Sequence, residues 1–385
     1  MKNIAVVTST RADYGLFKPL LSRISSSSEF NLRLLVTGTH LKPSFGYSIQ
    51  EIINDGFSIA AEVDILKNYQ DDAVSIGNII ASTIFEFTKV LSQEKPDMLI
   101  LLGDRFEILA VAFTAFNLRI PIIHLYGGET TEGAQDDAYR HAITKLSHLH
   151  FTSTDDYRKK VIQMGENPQH VFNVGSLGVE NIKNLTLMTR TELCLDLNIN
   201  SNDRFALLTF HPETLEPDKV EAQINEVLKV IALRIDLHFI ITKANADANG
   251  LKINRLLEAF TATHTNCHLY ANLGTLRYLS MMKESIMVIG NSSSGIIETP
   301  SLHIPTINIG DRQKGRVQAD SIFNCDCDSL AINNMIDLVL DIDLSVFQNT
   351  QNPYENGTAS EKIIDIIIRE FVENEFDFKK SFYVA

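Results

Sequence analysis

The chain has 385 residues, 44% of them apolar, which suits two domains because single cores seldom grow past about 250–300 residues. A formal net charge of −14 argues against sequence-independent binding to nucleic acid or an anionic membrane, since either needs a basic face. Cys194, Cys267, Cys325 and Cys327 lack metal-finger spacing, the start lacks a signal-peptide core, and no run approaches about 20 apolar residues, so a reduced, cytoplasmic, non-membrane protein is expected.

Residues 4–8 read as the first strand. Leu16, Leu20, Leu21 and Ile24 recur at helical spacing after it, and the four serines at 25–28 predict the loop that ends this helix. Further strands are expected at 32–37, 98–102, 120–124 and 150–152, with Ile108, Val111, Ala112 and Ala115 marking a helix. A second series starts near Phe205, with strands at 205–209, 238–242, 268–270, 287–289 and 306–309. Its helices are expected at 220–233, 253–260, 275–282 and 331–340. The βαβα alternation predicts an α/β protein with two Rossmann-like parallel-sheet domains, each covered on both faces. The segment Val174-Gly175-Ser176-Leu177-Gly178 is the candidate hinge. The expected domains are 1–176 plus 361–385 and 177–360, the last amphipathic stretch (361–371) crossing back to the first domain.

In open α/β sheets ligands bind beyond the carboxyl ends of strands, so the loops there are the places to search. No Gly-x-Gly-x-x-Gly follows the first strand, which argues against a standard dinucleotide fingerprint. Arg11 in Thr10-Arg11-Ala12-Asp13 can bind phosphate; the alternative is Asp13 as a helix N-cap with Arg11 solvated. Asp104 and Arg105 bring a carboxylate and a guanidinium to the end of strand 98–102, unless Asp104 is another N-cap. Gly127-Gly128-Glu129 follows the next strand, and Asp136-Asp137-Ala138-Tyr139-Arg140-His141 opens the next helix. Convergent carboxylates are what paired acid and base chemistry requires, and Arg140 sits one turn from Asp136; the alternative is a solvated loop before a capped helix. His148 and His150 are two apart around a strand start and point to opposite faces, which suits packing better than metal binding. In the second series, His211 of Phe210-His211-Pro212-Glu213 can serve as a general acid, a phosphate contact or a structural residue. Asn291-Ser292-Ser293-Ser294-Gly295 offers N–H groups and hydroxyls to a phosphate, and Glu298 an acceptor for ribose hydroxyls. Arg312, Lys314 and Arg316 add cations.

Taken together, these motifs carry a family resemblance over nearly the whole chain. Ser9 to Gly15, Gly103-Asp104-Arg105-Phe106-Glu107, Arg140 to Lys145, Phe210 to Thr214, Gly290 to Gly295 and Gly310 to Arg316 resemble the hydrolysing UDP-N-acetylglucosamine 2-epimerases of sialic acid and legionaminic acid synthesis. The resemblance implies a glycosyltransferase-B-like pair of domains facing a cleft, a UDP-sugar substrate, release of UDP, and neither metal nor nicotinamide cofactor. It implies that Arg11, His211, Asn245, Ser292, Ser293, Glu298 and Arg312 hold the nucleotide and diphosphate, while Asp104, Asp136 and Arg140 belong to the sugar-reacting site. Tyr126 stands where some relatives carry a glutamate before the Gly-Gly pair, and Glu129 is the candidate substitute. The expected product of UDP-N-acetylglucosamine is N-acetylmannosamine, made by a homodimer or homotetramer. The same reaction on a UDP-2,4-diacetamido-2,4,6-trideoxy sugar is the alternative. A glycosyltransferase or a non-catalytic UDP-sugar sensor on the same fold represents the other function classes.

Overall fold

Strands that are buried throughout and apolar at all or all but one position, such as Met98–Leu102 and Phe205–Thr209, belong in parallel sheets covered on both faces. A computed structural model, which describes every residue except 68, 69, 71, 246, 375 and 385, shows two such sheets. The chain divides into unit 1 (Met1–Glu129, Asp136–Asn181 and Tyr354–Ala385) and unit 2 (Thr130–Gln135 and Ile182–Pro353). The expected boundaries at 176/177 and 360/361, and the segment 174–178, fall inside unit 1.

Unit 1 contains β1 (Lys2–Thr8), β2 (Phe30–Thr37), β3 (Ile59–Val63), β4 (Met98–Leu102), β5 (Ile122–Leu125), β6 (Leu149–Thr152) and β7 (Val171–Asn173). They pair in parallel in the order β3-β2-β1-β4-β5-β6-β7. Its helices are α1 (Arg11–Ser26), α2 (Ile49–Asn54), α3 (Ala73–Glu94), α4 (Phe106–Asn117), α5 (Asp136–Leu146) and α6 (Asp155–Gln163). The next helix, α7 (Leu177–Asn184), runs across the boundary between Asn181 and Ile182. Unit 2 contains β8 (Phe205–Thr209), β9 (His238–Thr242), β10 (Cys267–Tyr270), β11 (Met287–Gly290), β12 (Thr306–Ile309) and β13 (Ile322–Cys325), all parallel in the order β10-β9-β8-β11-β12-β13. Around them are α8 (Arg190–Leu197), α9 (Val220–Leu233), α10 (Gly250–Thr261), α11 (Gly274–Glu284), α12 (Ser294–Ile297), α13 (Thr299–Leu302) and α14 (Ser329–Asp341). The chain then returns to unit 1 as α15 (Ala359–Ile368), whose Ile363 and Ile367 join Ile4, Phe17 and Leu34 in one buried cluster.

In each sheet the strand order reverses beside the first strand, between β1 and β4 in unit 1 and between β8 and β11 in unit 2. That reversal parts the loops on either side and leaves a crevice at the carboxyl edge, where ligands bind in this architecture. The motif-bearing loops after β1, β4, β8 and β11 therefore flank the two crevices.

Three strands escape the sequence reading, β3, β7 and β13, and each is an edge strand of its sheet. Edge strands are half-solvated, so Ile-Ala-Ala-Glu-Val and the three-residue β7 carry no continuous apolar run. Helix α3 holds no run of about 20 apolar residues, yet by length and mean hydropathy its 22 residues are long and apolar enough to cross a membrane. Its polar residues are interspersed, and Ile79, Phe87 and Leu91 form a stripe buried with Leu99 and Leu101 of β4, as a sheet-covering helix requires. The two histidines at β6 take structural places. His150 Nε2 lies 3.0 Å from Glu166, while the His148 ring sits 4.5 Å from that of Phe378.

Candidate active site

In unit 1, β1 delivers the chain to a tightly built turn. Thr10 is the N-cap of α1, accepting from the Asp13 N–H, and the Asp13 carboxylate accepts from the Ser9 and Thr10 N–H groups at 3.1 and 3.0 Å. Asp13 thus completes a capping box from the third helical position rather than serving as the N-cap itself. Behind it, the Thr8 hydroxyl meets Asp13 and lies 3.0 Å from His40 Nε2, and His40 Nδ1 lies 2.7 Å from the Ser48 hydroxyl. Burial pushes the Asp13 carboxyl up and the His40 imidazole down to about 4. Arg11 at the start of α1 is not simply solvated: its Nε donates to Glu51 at 2.6 Å.

The loop after β4 carries Asp104 and Arg105. Arg105 occupies the N-cap position of α4 without a side-chain cap bond, so Asp104 is not spent on helix capping. Its partner is Arg140, which is 1% exposed and donates through Nη2 to Asp104. Through Nη1 the same guanidinium reaches the Glu129 carbonyl at 2.7 Å and Asp137 at 3.3 Å. One buried arginine therefore ties together the loop after β4, the loop after β5 and the first turn of α5. Asp136 is the first residue of that helix. The Glu129 carboxylate is 3% exposed and accepts from the Ser153 hydroxyl at 2.7 Å, and Arg105 Nε donates to Glu107 at 2.5 Å. Asp104, Glu129 and Arg140 are thus joined through the contacts of one arginine.

Two residues not assigned from sequence shape these loops. His124, inside β5, holds the loop after β4: Nε2 donates to the Gly103 carbonyl at 2.8 Å and Nδ1 faces the Thr144 hydroxyl at 3.1 Å. Burial drives its imidazole down to about 3, so it is neutral. Gly127 lets this contact form, because a Cβ there would sit 3.0 Å from Thr144 Oγ1 and 3.2 Å from His124 Nδ1. Tyr126 has a left-handed backbone (φ 67°), and its buried hydroxyl accepts from the Leu177 N–H at 2.9 Å and meets the Ser176 hydroxyl at 3.2 Å. The side chain in the position before the Gly-Gly pair is thereby committed to the start of α7.

Unit 2 gathers its motifs at the carboxyl edges of β9, β8, β11 and β12. The His211 N–H donates to the Asn291 side chain at 2.7 Å and the Asn291 amide returns a bond to the His211 carbonyl at 2.8 Å. Asn245 approaches from the loop after β9, its N–H 3.4 Å from His211 Nδ1. From the loop after β12, Arg312 Nη1 and Gln313 Nε2 both reach the Asn291 carbonyl, at 3.2 and 2.8 Å. Ser292 and Ser293 lead into α12, which contains Ser294 and Gly295, and Arg316 ends the turn whose N–H bonds to the Gln313 carbonyl. Glu298 follows α12; burial pushes its carboxyl up to about 7, with the Ser294 hydroxyl pulling the other way. Tyr278 of α11, unassigned from sequence, lies beside Thr209, Ser292, Ser294 and Glu298. The segment Thr130–Gln135 packs here too, Glu132 N–H bonding to the Lys314 carbonyl at 3.2 Å and Gln135 N–H to the Thr214 hydroxyl at 2.9 Å.

These loops can be compared with those of known proteins. A family model described as UDP-N-acetylglucosamine 2-epimerase matches residues 22–368. The chain belongs to that family. It is 40% identical over 385 residues to the polysialic acid biosynthesis protein P7 of Escherichia coli, covering 100% of this chain and 97% of that protein. To the GDP/UDP-N,N'-diacetylbacillosamine 2-epimerase (hydrolyzing) of Campylobacter jejuni it is 39% identical, covering 86% of this chain and 85% of the relative. The UDP-N,N'-diacetylbacillosamine 2-epimerase (hydrolyzing) of Legionella pneumophila is 33% identical, with 95% and 96% covered. Among solved structures, the Neisseria meningitidis UDP-GlcNAc 2-epimerase bound to UDP-GlcNAc shares the fold, with a TM-score of 0.79 at 19% identity over 95% of this chain and 100% of that one.

Proposed function

We propose that this member of the family is a hydrolysing 2-epimerase that converts UDP-N-acetylglucosamine and water to N-acetylmannosamine and UDP. The observation that carries the reading is Arg140, buried and fixing Asp104 and the Glu129 backbone together, in a chain whose relatives at 39% and 33% identity are named as hydrolyzing 2-epimerases. The contact brings the loops that carry the Asp104 and Glu129 carboxylates beside the start of α5, where Asp136 lies, and proton transfer on both faces of a sugar needs several such acids.

In this reading unit 2 binds the nucleotide. Arg312, Ser292, Ser293, Ser294, the Gly295 backbone, Arg316 and His211 receive the diphosphate, and Glu298 accepts from the ribose. Arg11 and Arg105 add positive charge for the substrate, and Asn245 orders the histidine loop. The carboxylates of unit 1 carry the proton transfers. A base removes the C2 proton, the C1–O bond breaks, and UDP departs with the bridging oxygen, leaving a 2-acetamidoglucal. Water then adds at C1 while an acid protonates C2 from the opposite face, giving the 2-epimer. Asp104, Glu129 and Asp136 share these transfers. All four cysteines are free thiols, which suits work in the cytoplasm.

A second reading keeps the chemistry and changes the sugar to UDP-N,N'-diacetylbacillosamine; the names of the Campylobacter and Legionella relatives favour it. An assay for free UDP with each sugar nucleotide, and with no acceptor present, tests both. UDP-N-acetylglucosamine as the faster substrate supports the first reading, and preference for the diacetamido sugar supports the second. No UDP from either contradicts the function.

A further inference from the structure

Glu213 is a carboxylate buried to 3% exposure, one residue beyond Pro212 in the loop after β8, and nothing in the chemistry above uses it. Its Oε1 accepts from the Asp311 N–H at 2.9 Å, in the loop after β12. Its Oε2 accepts from Gln223 Nε2 of α9 at 3.0 Å. The approach to Asp311 is possible because residue 310 is glycine: it holds φ 73°, and a Cβ there would lie 2.3 Å from Glu213 Oε1. A buried carboxylate is costly unless its oxygens are bonded, so a loop that satisfies it is held in one place.

The position held is that of Arg312. The residue before it is pinned by Glu213, while Arg312 and Gln313 are pinned to the Asn291 carbonyl of the serine loop. Asn291 in turn clamps His211 by two bonds. The arginine loop thus has two anchors, one on the serine loop and one on the histidine loop, and Glu213 supplies the second. We infer that Glu213 is a positioning residue of the nucleotide site, aiming Arg312 at the diphosphate without touching the ligand. The inference rests on the assignment of UDP to unit 2.

The test compares the affinities of Glu213→Ala and Glu213→Gln for UDP and for uridine, by calorimetry and by NMR titration. Loss of a hydrogen bond to a charged group predicts UDP binding weakened about tenfold to a hundredfold in Glu213→Ala. Uridine, lacking phosphates, should bind as it does to the unsubstituted protein. Glu213→Gln keeps an oxygen for the Asp311 N–H, and the Gln223 amide can turn its unpartnered Oε1 toward the new NH₂, so near-normal UDP affinity is expected. Gly310→Ala attacks the same contact from the facing loop and should reproduce the selective UDP loss if Glu213→Ala does not fold. Equal weakening of UDP and uridine, or unchanged UDP affinity in Glu213→Ala or Gly310→Ala, overturns the inference. If the unsubstituted protein binds no UDP, the nucleotide assignment itself fails, and this inference falls with it.

Discussion

Asp104, Glu129 and Asp136 differ in what surrounds them, and the differences set what substitution should do. Asp104 is aimed by Arg140, Glu129 is buried beneath Ser153, and Asp136 opens a helix with its side chain half-buried. Asp104→Asn and Asp136→Asn keep shape and remove a proton acceptor, so turnover should fall about 10²–10⁴-fold while UDP still binds. Glu129→Gln should behave likewise if Glu129 substitutes for the glutamate that Tyr126 displaces. Steady-state rates near those of the unsubstituted protein in all three would move the chemistry elsewhere. Glu298 offers a pH signature. Its carboxyl sits at about 7 in the folded protein against 4.5 ordinarily, so between those values the folded state holds the extra proton and stability falls as pH rises. Glu298→Gln removes that slope, and its melting temperature should gain on the unsubstituted protein from about pH 5 to about pH 8. An ionised carboxylate accepts more strongly from ribose hydroxyls than a protonated one, so UDP affinity should also rise through pH 7 relative to Glu298→Gln, the ligand's own titration being common to both. Parallel pH profiles for the two proteins would remove Glu298 from the ribose site.

Elements explain why some of the site is legible in the sequence and some is not. The central strands announce themselves as unbroken apolar runs, and polar residues immediately after such a run must lie at the sheet's carboxyl edge; that logic alone finds Asp104, Glu129, His211 and the serine loop. Arg140 is findable because it falls one turn into a helix that begins with acids. His124 is not, since inside β5 it reads as one more buried strand residue, and only the register beside β4 brings it to Gly103. Asn291 and Glu213 reveal their work only across 80 and 98 residues of sequence. Tyr126 is the instructive case: its position invites a catalytic comparison, and its left-handed backbone turns the hydroxyl to α7 instead. Tyr126→Phe should therefore cost about 1–3 kcal/mol of stability in denaturant titrations, for the buried N–H and hydroxyl left behind, with kcat nearly unchanged. A loss of kcat without a loss of stability would return Tyr126 to the chemistry.

At the scale of the whole molecule, two parallel sheets repeat one plan, a strand order that reverses beside the first strand and a set of polar loops beyond it. The Neisseria meningitidis UDP-GlcNAc 2-epimerase shares this fold at only 19% identity, and in general a fold locates the work while the loops decide what it is. Unit 1 supplies carboxylates on loops tied together by one arginine, and unit 2 supplies serine, histidine and arginine loops ordered by Asn291 and Glu213. The central claim is that these parts perform elimination followed by hydration. Running the reaction in deuterium oxide enriched in oxygen-18, and reading the product by NMR and mass spectrometry, tests it most directly. The account predicts a 2-epimer carrying deuterium at C2 and the heavy oxygen at C1, with UDP keeping its original bridging oxygen. Product with the oxygen label but protium at C2 would contradict it, because hydrolysis would then have proceeded without a base ever reaching C2.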